Sequence, residues 1–347
     1  MSIVTIIGSG MMGSALAFPA RENGHEVRLV GTHLDRDIID ACIAANRHPK
    51  FEYDFPAGIR FFQIEDVKEA IAGSTFVICG VSSFGVDWFG EEILPLIPDD
   101  IPVLSVTKGL IEDGGKLICY PEYWSRMMAK RGVKRDVYAI GGPCTSYELV
   151  FHDQSSVTYC GVDADILKMM RQVMRTDYYH ISLSTDVMGV ESAVALKNGY
   201  ALGIALTIGI NQRLHGENSV QHYNSQAAVF AQSVKEMRKL IAFLGGGEDN
   251  IVIGAGDLYV TVYGGRTRLV GILLGRGYTC EQALRQLKGV TLESIVVATR
   301  VAKAVREAAA AGQLAAEDFP LLMHVDEIIN RGAPVVIPWE KFVTDNI

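Results

Sequence analysis

Near the middle of the chain a lysine and an amide interrupt an otherwise apolar run. Glu191-Ser192-Ala193-Val194-Ala195-Leu196-Lys197-Asn198 leads directly into Gly199-Tyr200-Ala201-Leu202-Gly203-Ile204-Ala205-Leu206. Burying Lys197 and Asn198 in such a helix without partners would be costly, so the lysine points to chemistry. The alternative is a lysine that snorkels its amine to the surface. A second lysine, Lys108, follows the strand-like Leu104-Ser105-Val106-Thr107. Ligands of doubly wound sheets sit outside the carboxyl ends of strands, so Lys108 either reaches one or is a solvated loop lysine. Further on, Gly254-Ala255-Gly256-Asp257-Leu258 precedes Thr261 and Gly264-Gly265-Arg266-Thr267-Arg268. Arg266 after two glycines suits a phosphate or carboxylate, and Asp257 suits a buried amine. A surface arginine and a helix cap are the plainer readings of these two residues.

The amino terminus supplies the partner for such chemistry. The β-branched run Ile3-Val4-Thr5-Ile6-Ile7 is followed by Gly8-Ser9-Gly10-Met11-Met12-Gly13 and then by the helical spacing of Ser14-Ala15-Leu16-Ala17. In a strand, glycine turn and helix of this kind, the first glycine allows the tight turn and the second lets a pyrophosphate approach the backbone. The third lets helix and strand pack closely. The helix N-terminus then offers unpaired N–H groups to the phosphates. The second strand ends in Gly31-Thr32-His33, with Asp35 and Arg36 slightly further on. An acidic residue at that strand end would bind the ribose hydroxyls of NAD; without one, NAD and NADP are both expected, with a lean to NADP.

The elements that must position these residues follow two patterns. Through about Asp186, strand-like runs (Glu26 to Val30, Phe76 to Val81, Val103 to Thr107, Val137 to Ile140, Ser156 to Cys160, Tyr179 to Leu183) alternate with helical stretches (Leu34 to Arg47, Asp66 to Ala72, Tyr120 to Arg131). That alternation predicts a doubly wound α/β fold with a parallel sheet, with Pro19 kinking the first helix. Beyond Val187 the strand signal fades, and Ala227 to Phe243 and Ile295 to Ala311 repeat at helical spacing. The expected domains are therefore a dinucleotide-binding domain over 1–186 and a mostly helical substrate and catalytic domain over 187–347.

The 347 residues carry a net charge of −8 and are 49% hydrophobic. That composition argues against a general binder of nucleic acid or anionic membranes, and any anionic ligand must be held locally. No signal peptide is read at the amino terminus, and the apolar stretch from Ala193 to Ile210 is broken by Lys197 and Asn198. Six scattered cysteines fit a reducing, cytoplasmic compartment, and neither they nor the dispersed histidines suggest a metal site.

Taken in order, the glycine motif, Thr107-Lys108-Gly109, Gly142-Pro143 followed by Glu148, Leu196-Lys197-Asn198, and Gly256-Asp257-Leu258 with Thr261 and Gly265-Arg266 resemble the NAD(P)-dependent glycerol-3-phosphate dehydrogenases. The likeness spans essentially the whole chain, and Gly31-Thr32 with the spacing to His48-Pro49 is most similar to archaeal-type members. It implies a Rossmann-type domain followed by a helical one, and hydride exchange between C2 of glycerol 3-phosphate and nicotinamide C4, giving dihydroxyacetone phosphate. A homodimer and a place in glycerophospholipid and carbohydrate metabolism are implied with it. By resemblance Lys197 transfers the proton and Lys108 contacts the substrate, while Asn198, Asp257 and Thr261 surround the catalytic amine. Arg266 binds the substrate phosphate, with Thr267 beside it, and Gly142 is a further substrate-binding position. Gly8, Ser9, Gly10, Met11, Met12, Gly13, Thr32, His33, Lys108, Ser146, Arg266 and Glu293 match the cofactor positions. The chemistry is coherent from below, since a hydroxyl proton must be taken as hydride leaves C2 and a second cation can stabilise the developing alkoxide. There are departures: Thr267 stands where the family usually has asparagine, Ser146 where it has alanine, and Glu293-Ser294 where it has Glu-Gly. These leave another phosphorylated polyol as an alternative substrate. A non-catalytic nucleotide sensor would need the glycine loop but not paired lysines, and a 3-hydroxyacid dehydrogenase is disfavoured by Gly-Asp-Leu.

Overall fold

The computed structural model describes residues 1–264, 266–287 and 293–343, apart from the side chain of Arg266. The chain begins β1 (Ile3–Ile7), α1 (Met11–Glu22), β2 (Glu26–Val30), α2 (Arg36–Ala45), β3 (Arg60–Phe62), α3 (Val67–Ile71), β4 (Phe76–Cys79), α4 (Val86–Trp88) and β5 (Val103–Ser105). It continues through β6 (Leu110–Asp113), β7 (Lys116–Cys119), α5 (Tyr120–Lys130), β8 (Val137–Gly141), α6 (Ser146–Val150), β9 (Ser155–Cys160), α7 (Ala164–Met174) and β10 (Tyr179–Ser184). Helices follow: α8 (Val187–His215), α9 (Tyr223–Phe243), α10 (Ile251–Gly264), α11 (Arg266–Arg276), α12 (Cys280–Gln286), α13 (Glu293–Ala310) and α14 (Pro320–Arg331). Two compact units result, residues 1–108 with 119–191 and residues 109–118 with 192–347.

The first unit is an α/β sandwich on an eight-stranded sheet of order β10-β9-β8-β5-β4-β1-β2-β3. Its strands read as continuous apolar runs because a parallel sheet covered by helices is buried on both faces. Val4, Ile6, Leu29, Ile78 and Leu104 are completely buried in this core. The central strand β1 pairs with β2 on one side and β4 on the other (Val4↔Val27, Val4↔Phe76), so the chain order reverses there. A crevice for a ligand opens at such a switch point. The sequence pattern predicted a parallel sheet throughout, but β9 runs antiparallel to β8, with Ile140 opposite Tyr159. The cause is α6, whose five residues rise about 7.5 Å, roughly half the length of a five-residue strand, and so cannot return the chain along the sheet. Helix α1 continues through Pro19.

The second unit is built on α8, a 29-residue helix. It is the one described helix long and apolar enough to cross a membrane, and 83% of that apolar window is buried inside the protein. An all-round apolar helix of this kind is a core helix when other helices cover it. Helix α11 lies against it in backbone contact: a Cβ on Gly209 would stand 2.2 Å from the Ile272 carbonyl oxygen, and one on Gly275 2.3 Å from that of Leu206. The β6–β7 hairpin, which periodicity did not predict, is tied to α13. Arg300 Nη1 donates to the Leu110 carbonyl at 2.9 Å, and Lys303 pairs with Glu112 at 2.5 Å.

Candidate active site

In the first unit the glycine motif forms the turn between β1 and α1. Gly8 takes φ +109°, and a Cβ there would stand 2.7 Å from the Gly80 carbonyl carbon at the end of β4. A Cβ on Gly13 would stand 2.1 Å from the Gly8 carbonyl oxygen. These two glycines serve protein packing. A Cβ on Gly10 would meet nothing within 4 Å, and no side chain caps the start of α1. The amides of Met11, Met12 and Gly13 therefore belong to a helix N-terminus built for an anion. Ser9 is buried, and its carbonyl accepts from His48 Nε2 at 3.1 Å. A carbonyl only accepts, so Nε2 carries the proton, and burial pushes the His48 pKa down.

Beside this turn lies a cleft of about 460 Å³ whose lining includes Gly10, Thr32, His33, Asp35, Gly80 and Trp88. His33 meets Trp88 edge to face at 5.4 Å. Although no acid occupies the end of β2, Asp35 folds back to it. Its Oδ2 accepts from Thr32 N at 2.9 Å, Thr32 Oγ1 at 2.8 Å and Ser9 N at 3.3 Å. Sequence reasoning noted Asp35 without placing it in the cleft; Thr32-x-x-Asp35, with the carboxylate reaching back three residues, is the local signal. Arg36 is engaged in an exposed ion pair with Glu65.

Lys108 and Gly142, from separate strand ends, come together: the Lys108 amine donates to the Gly142 carbonyl at 3.0 Å. Gly142 sits at φ +125°, with Ser156 O only 3.2 Å from where its Cβ would be. Ser146 is half-buried in the first turn of α6, which Thr145 caps. The neighbouring Cys79 thiol is pushed up to about 12 by burial and stays protonated.

In the second unit Lys197 and Asp257 meet as an ion pair, their side chains 12% and 1% exposed. The helices permit it because α10 touches α8 at Gly254, where a Cβ would stand 2.9 Å from the Ala193 carbonyl oxygen. Lys197 is one turn beyond Ala193 on α8, and Asp257 is nearly one turn beyond Gly254 on α10, so the two side chains face each other. Asp257 holds the Lys197 ammonium between α8 and α10. Asn198 is half-buried next to Lys197. Thr261 is buried, its hydroxyl donating to the Asp257 carbonyl at 2.7 Å, so it supports the turn of α10 that carries the carboxylate. Thr267 is buried in the first turn of α11, and Glu293 is half-buried at the start of α13. Arg266 opens α11, but its side chain lies outside the described residues, as does Gly265. Among the described residues no group of His, Cys, Asp and Glu is arranged for a metal.

Comparison with known proteins gives consistent results for both units. Residues 3–165 match the profile of the NAD-dependent glycerol-3-phosphate dehydrogenase N-terminus, and residues 186–337 match that of the C-terminus. The NADP(+)-dependent glycerol-3-phosphate dehydrogenase of Archaeoglobus fulgidus is 32% identical over 288 residues, covering 82% of this chain and 84% of the relative. The glycerol-3-phosphate dehydrogenase [NAD(P)+] of Acidobacterium capsulatum is 28% identical over 96% of this chain and 95% of its own length. Among solved structures, the Plasmodium falciparum glycerol-3-phosphate dehydrogenase superposes with a TM-score of 0.82 at 19% identity, covering 100% of this chain and 96% of that one. The Coxiella burnetii enzyme superposes with a TM-score of 0.78 at 22% identity, over 98% and 97%. These structures establish the shared fold.

Proposed function

This chain belongs to the NAD-dependent glycerol-3-phosphate dehydrogenase family, and we propose how its own residues carry the reaction of that family. The protein is an oxidoreductase acting on a CH–OH group, interconverting sn-glycerol 3-phosphate and dihydroxyacetone phosphate with NAD or NADP. The residues suit the dinucleotide: a helix start without a side-chain cap, a glycine with open space above it, and a cleft at the switch point of the sheet. When bound, the nicotinamide exchanges a hydride at C4 with C2 of the substrate.

The observation that carries the assignment of roles is the buried Lys197–Asp257 pair. In the reductive direction the Lys197 ammonium gives a proton to the ketone oxygen, and in the oxidative direction the neutral amine, its proton first released to solvent, takes the proton of the C2 hydroxyl. Asp257 orients the amine and Asn198 lies beside it. Thr261 holds the turn of α10 that presents Asp257. Lys108, oriented by the Gly142 carbonyl, stabilises negative charge on the substrate oxygen. Arg266 and Thr267 take the substrate phosphate. The amides of Gly10 to Gly13 take the pyrophosphate, with Ser9, Thr32, His33, Ser146 and Glu293 completing the cofactor contacts. NADP is the preferred cofactor in this reading, in keeping with the name of the Archaeoglobus relative. Free cysteines fit a reducing, cytoplasmic compartment and the net charge argues against nucleic acid as a partner, while a homodimer rests on the family resemblance alone. The proposed domain boundary between residues 186 and 187 falls at the start of α8, a few residues ahead of the break between the compact units.

A panel of phosphorylated and unphosphorylated polyols, assayed with both cofactors, tests the reading. Glycerol 3-phosphate should give the highest kcat/KM. A better substrate bearing a different phosphorylated polyol would make Thr267, in place of an asparagine amide, the specificity residue. A best substrate without phosphate would end the assignment.

A further inference from the structure

Glu236, in α9, is a completely buried carboxylate that the reaction above does not use. Its Oε1 accepts from Leu321 N at 2.9 Å and Gln232 Nε2 at 2.8 Å, while Oε2 accepts from Leu322 N at 3.1 Å and the Tyr200 hydroxyl at 3.0 Å. All of these neighbours are donating. The amides of Leu321, Leu322 and Gln232 can only donate and the Tyr200 hydroxyl is placed to donate, an arrangement that favours a carboxylate. Burial pushes the Glu236 carboxyl upward, and the hydrogen bonds oppose that push.

The same carboxylate links separate helices. Leu321 and Leu322 lie in the first turn of α14, whose N-cap residue Phe319 makes no side-chain capping bond. Glu236 therefore caps α14 from another helix and sits at the positive end of its dipole. Tyr200 is on α8, three residues beyond Lys197 and on an adjoining face of the same turn. Burial raises the Tyr200 hydroxyl well above its ordinary value, so it remains the donor. The next residue of α9, Met237, touches α10 where α10 meets α8: its Cε lies 3.0 Å from the position a Cβ would take on Gly254.

We propose that Glu236 is a positioning residue for Lys197, acting through Tyr200 to lock the turn of α8 that carries the amine to the amino end of α14. The proposal rests on Lys197 as the proton-transferring group. Breaking the lock leaves the reacting groups intact but lets the amine wander, and small misplacements of a catalytic group are expensive in rate.

The test compares Tyr200→Phe, Glu236→Gln, their double variant and Lys197→Met, with kcat normalised to dinucleotide sites counted by fluorescence titration. Tyr200→Phe, which keeps the ring, should lower kcat about three- to tenfold while KM for glycerol 3-phosphate moves less than about twofold. The primary isotope effect on kcat with C2-deuterated substrate should rise or stay at its full value as chemistry becomes limiting. Glu236→Gln should show a larger loss of the same kind, and the double variant should be no worse than about twofold below Glu236→Gln, because both changes break one link. Turnover in Lys197→Met would overturn the reading of the site itself. If Lys197→Met is dead while Tyr200→Phe and Glu236→Gln keep wild-type kcat per site, pH profile and isotope effect, losing only thermal stability, Glu236 is a helix cap and the positioning role is overturned. Should Glu236→Gln fail to fold, Tyr200→Phe alone decides.

Discussion

Replacing Lys197 by methionine removes a charge from a buried pair, so it should damage chemistry and stability separately. The partner carboxylate of Asp257 is 1% exposed and would lose its ammonium. Removing one member of a buried pair typically costs about 3 to 5 kcal/mol. At roughly 2 to 4 °C per kcal/mol for a unit of this size, Tm should fall by about 6 to 20 °C. Turnover should vanish, while NADPH binding, followed by its fluorescence, should survive because the glycine motif belongs to the other unit. Adding Asp257→Asn to Lys197→Met removes the stranded charge and should recover at least about 2 kcal/mol, since buried pairs replaced on both sides lose little. It should restore no activity. The comparison therefore separates an acid/base lysine from a lysine kept for packing. Measurable turnover in Lys197→Met refutes the chemical role, and a double variant as unstable as the single one refutes the electrostatic account of the pair.

Gly254→Ala would place a Cβ 2.9 Å from the Ala193 carbonyl oxygen, forcing α10 away from α8. Overpacking of this kind costs about 1 to 3 kcal/mol, and kcat should drop at least about tenfold because Asp257 moves with α10; unchanged kcat would show that the helix contact does not set the pair. Arg266→Ala should lower kcat/KM for glycerol 3-phosphate by at least about thirtyfold, the loss of a charge-assisted contact, while barely changing activity toward unphosphorylated glycerol. Equal losses on both substrates would remove Arg266 from the phosphate. For His48 the sign follows from its depressed pKa: below the usual value of 6.5 the unfolded chain takes up a proton that the folded chain refuses. Its contribution to stability is thus complete above that pH and is lost as pH falls toward the folded value. Tm measured from about pH 7.5 to about pH 5 should fall less steeply in His48→Gln, whose amide keeps a donor for the Ser9 carbonyl; an identical slope would clear His48 of the acid sensitivity.

The parts of this protein that could be read from sequence are those whose reason is local. A glycine turn between a β-branched strand and a helix carries its own explanation, and so does a lysine stranded in an apolar helix. What escaped depends on partners far along the chain. Nothing near Gly254 announces that Ala193 will lie against it; the resemblance puts Asp257 beside the catalytic amine, but the helix contact that seats the pair appears only in the fold. The reversal of β9 depends on the shortness of α6 rather than on strand composition. Asp35 was visible, but the strand-end rule looks for an acid on the strand, whereas this one returns from the start of the next helix. Glu236 left a fainter trace: it falls among Val229, Ser233, Met237 and Leu240, on the face of α9 that is otherwise buried. An acid on a core face is informative, and only the amino end of α14 shows what it is for.

The dinucleotide turn and the lysine–aspartate pair share one physical solution. In each, a missing Cβ lets backbone approach backbone: Gly8 against Gly80 and Gly13 against Gly8 in the turn, Gly254 against Ala193 between the helices. Side-chain contacts can be repacked through new rotamers, whereas a backbone contact has no rotamer to change, so it fixes distance more firmly. In the proposed reading the phosphates would meet peptide N–H groups whose position no side chain adjusts, and the amine meets a carboxylate whose helix cannot slide without a clash. Lys197 also stands on a long buried helix rather than on a loop, where its backbone would be freer. Its flexible four-carbon stem is oriented by features that include the Asp257 carboxylate and, in the proposal above, the lock on α8 at Tyr200. Loss of either should appear first in kcat, because neither is needed for the first unit to hold its dinucleotide.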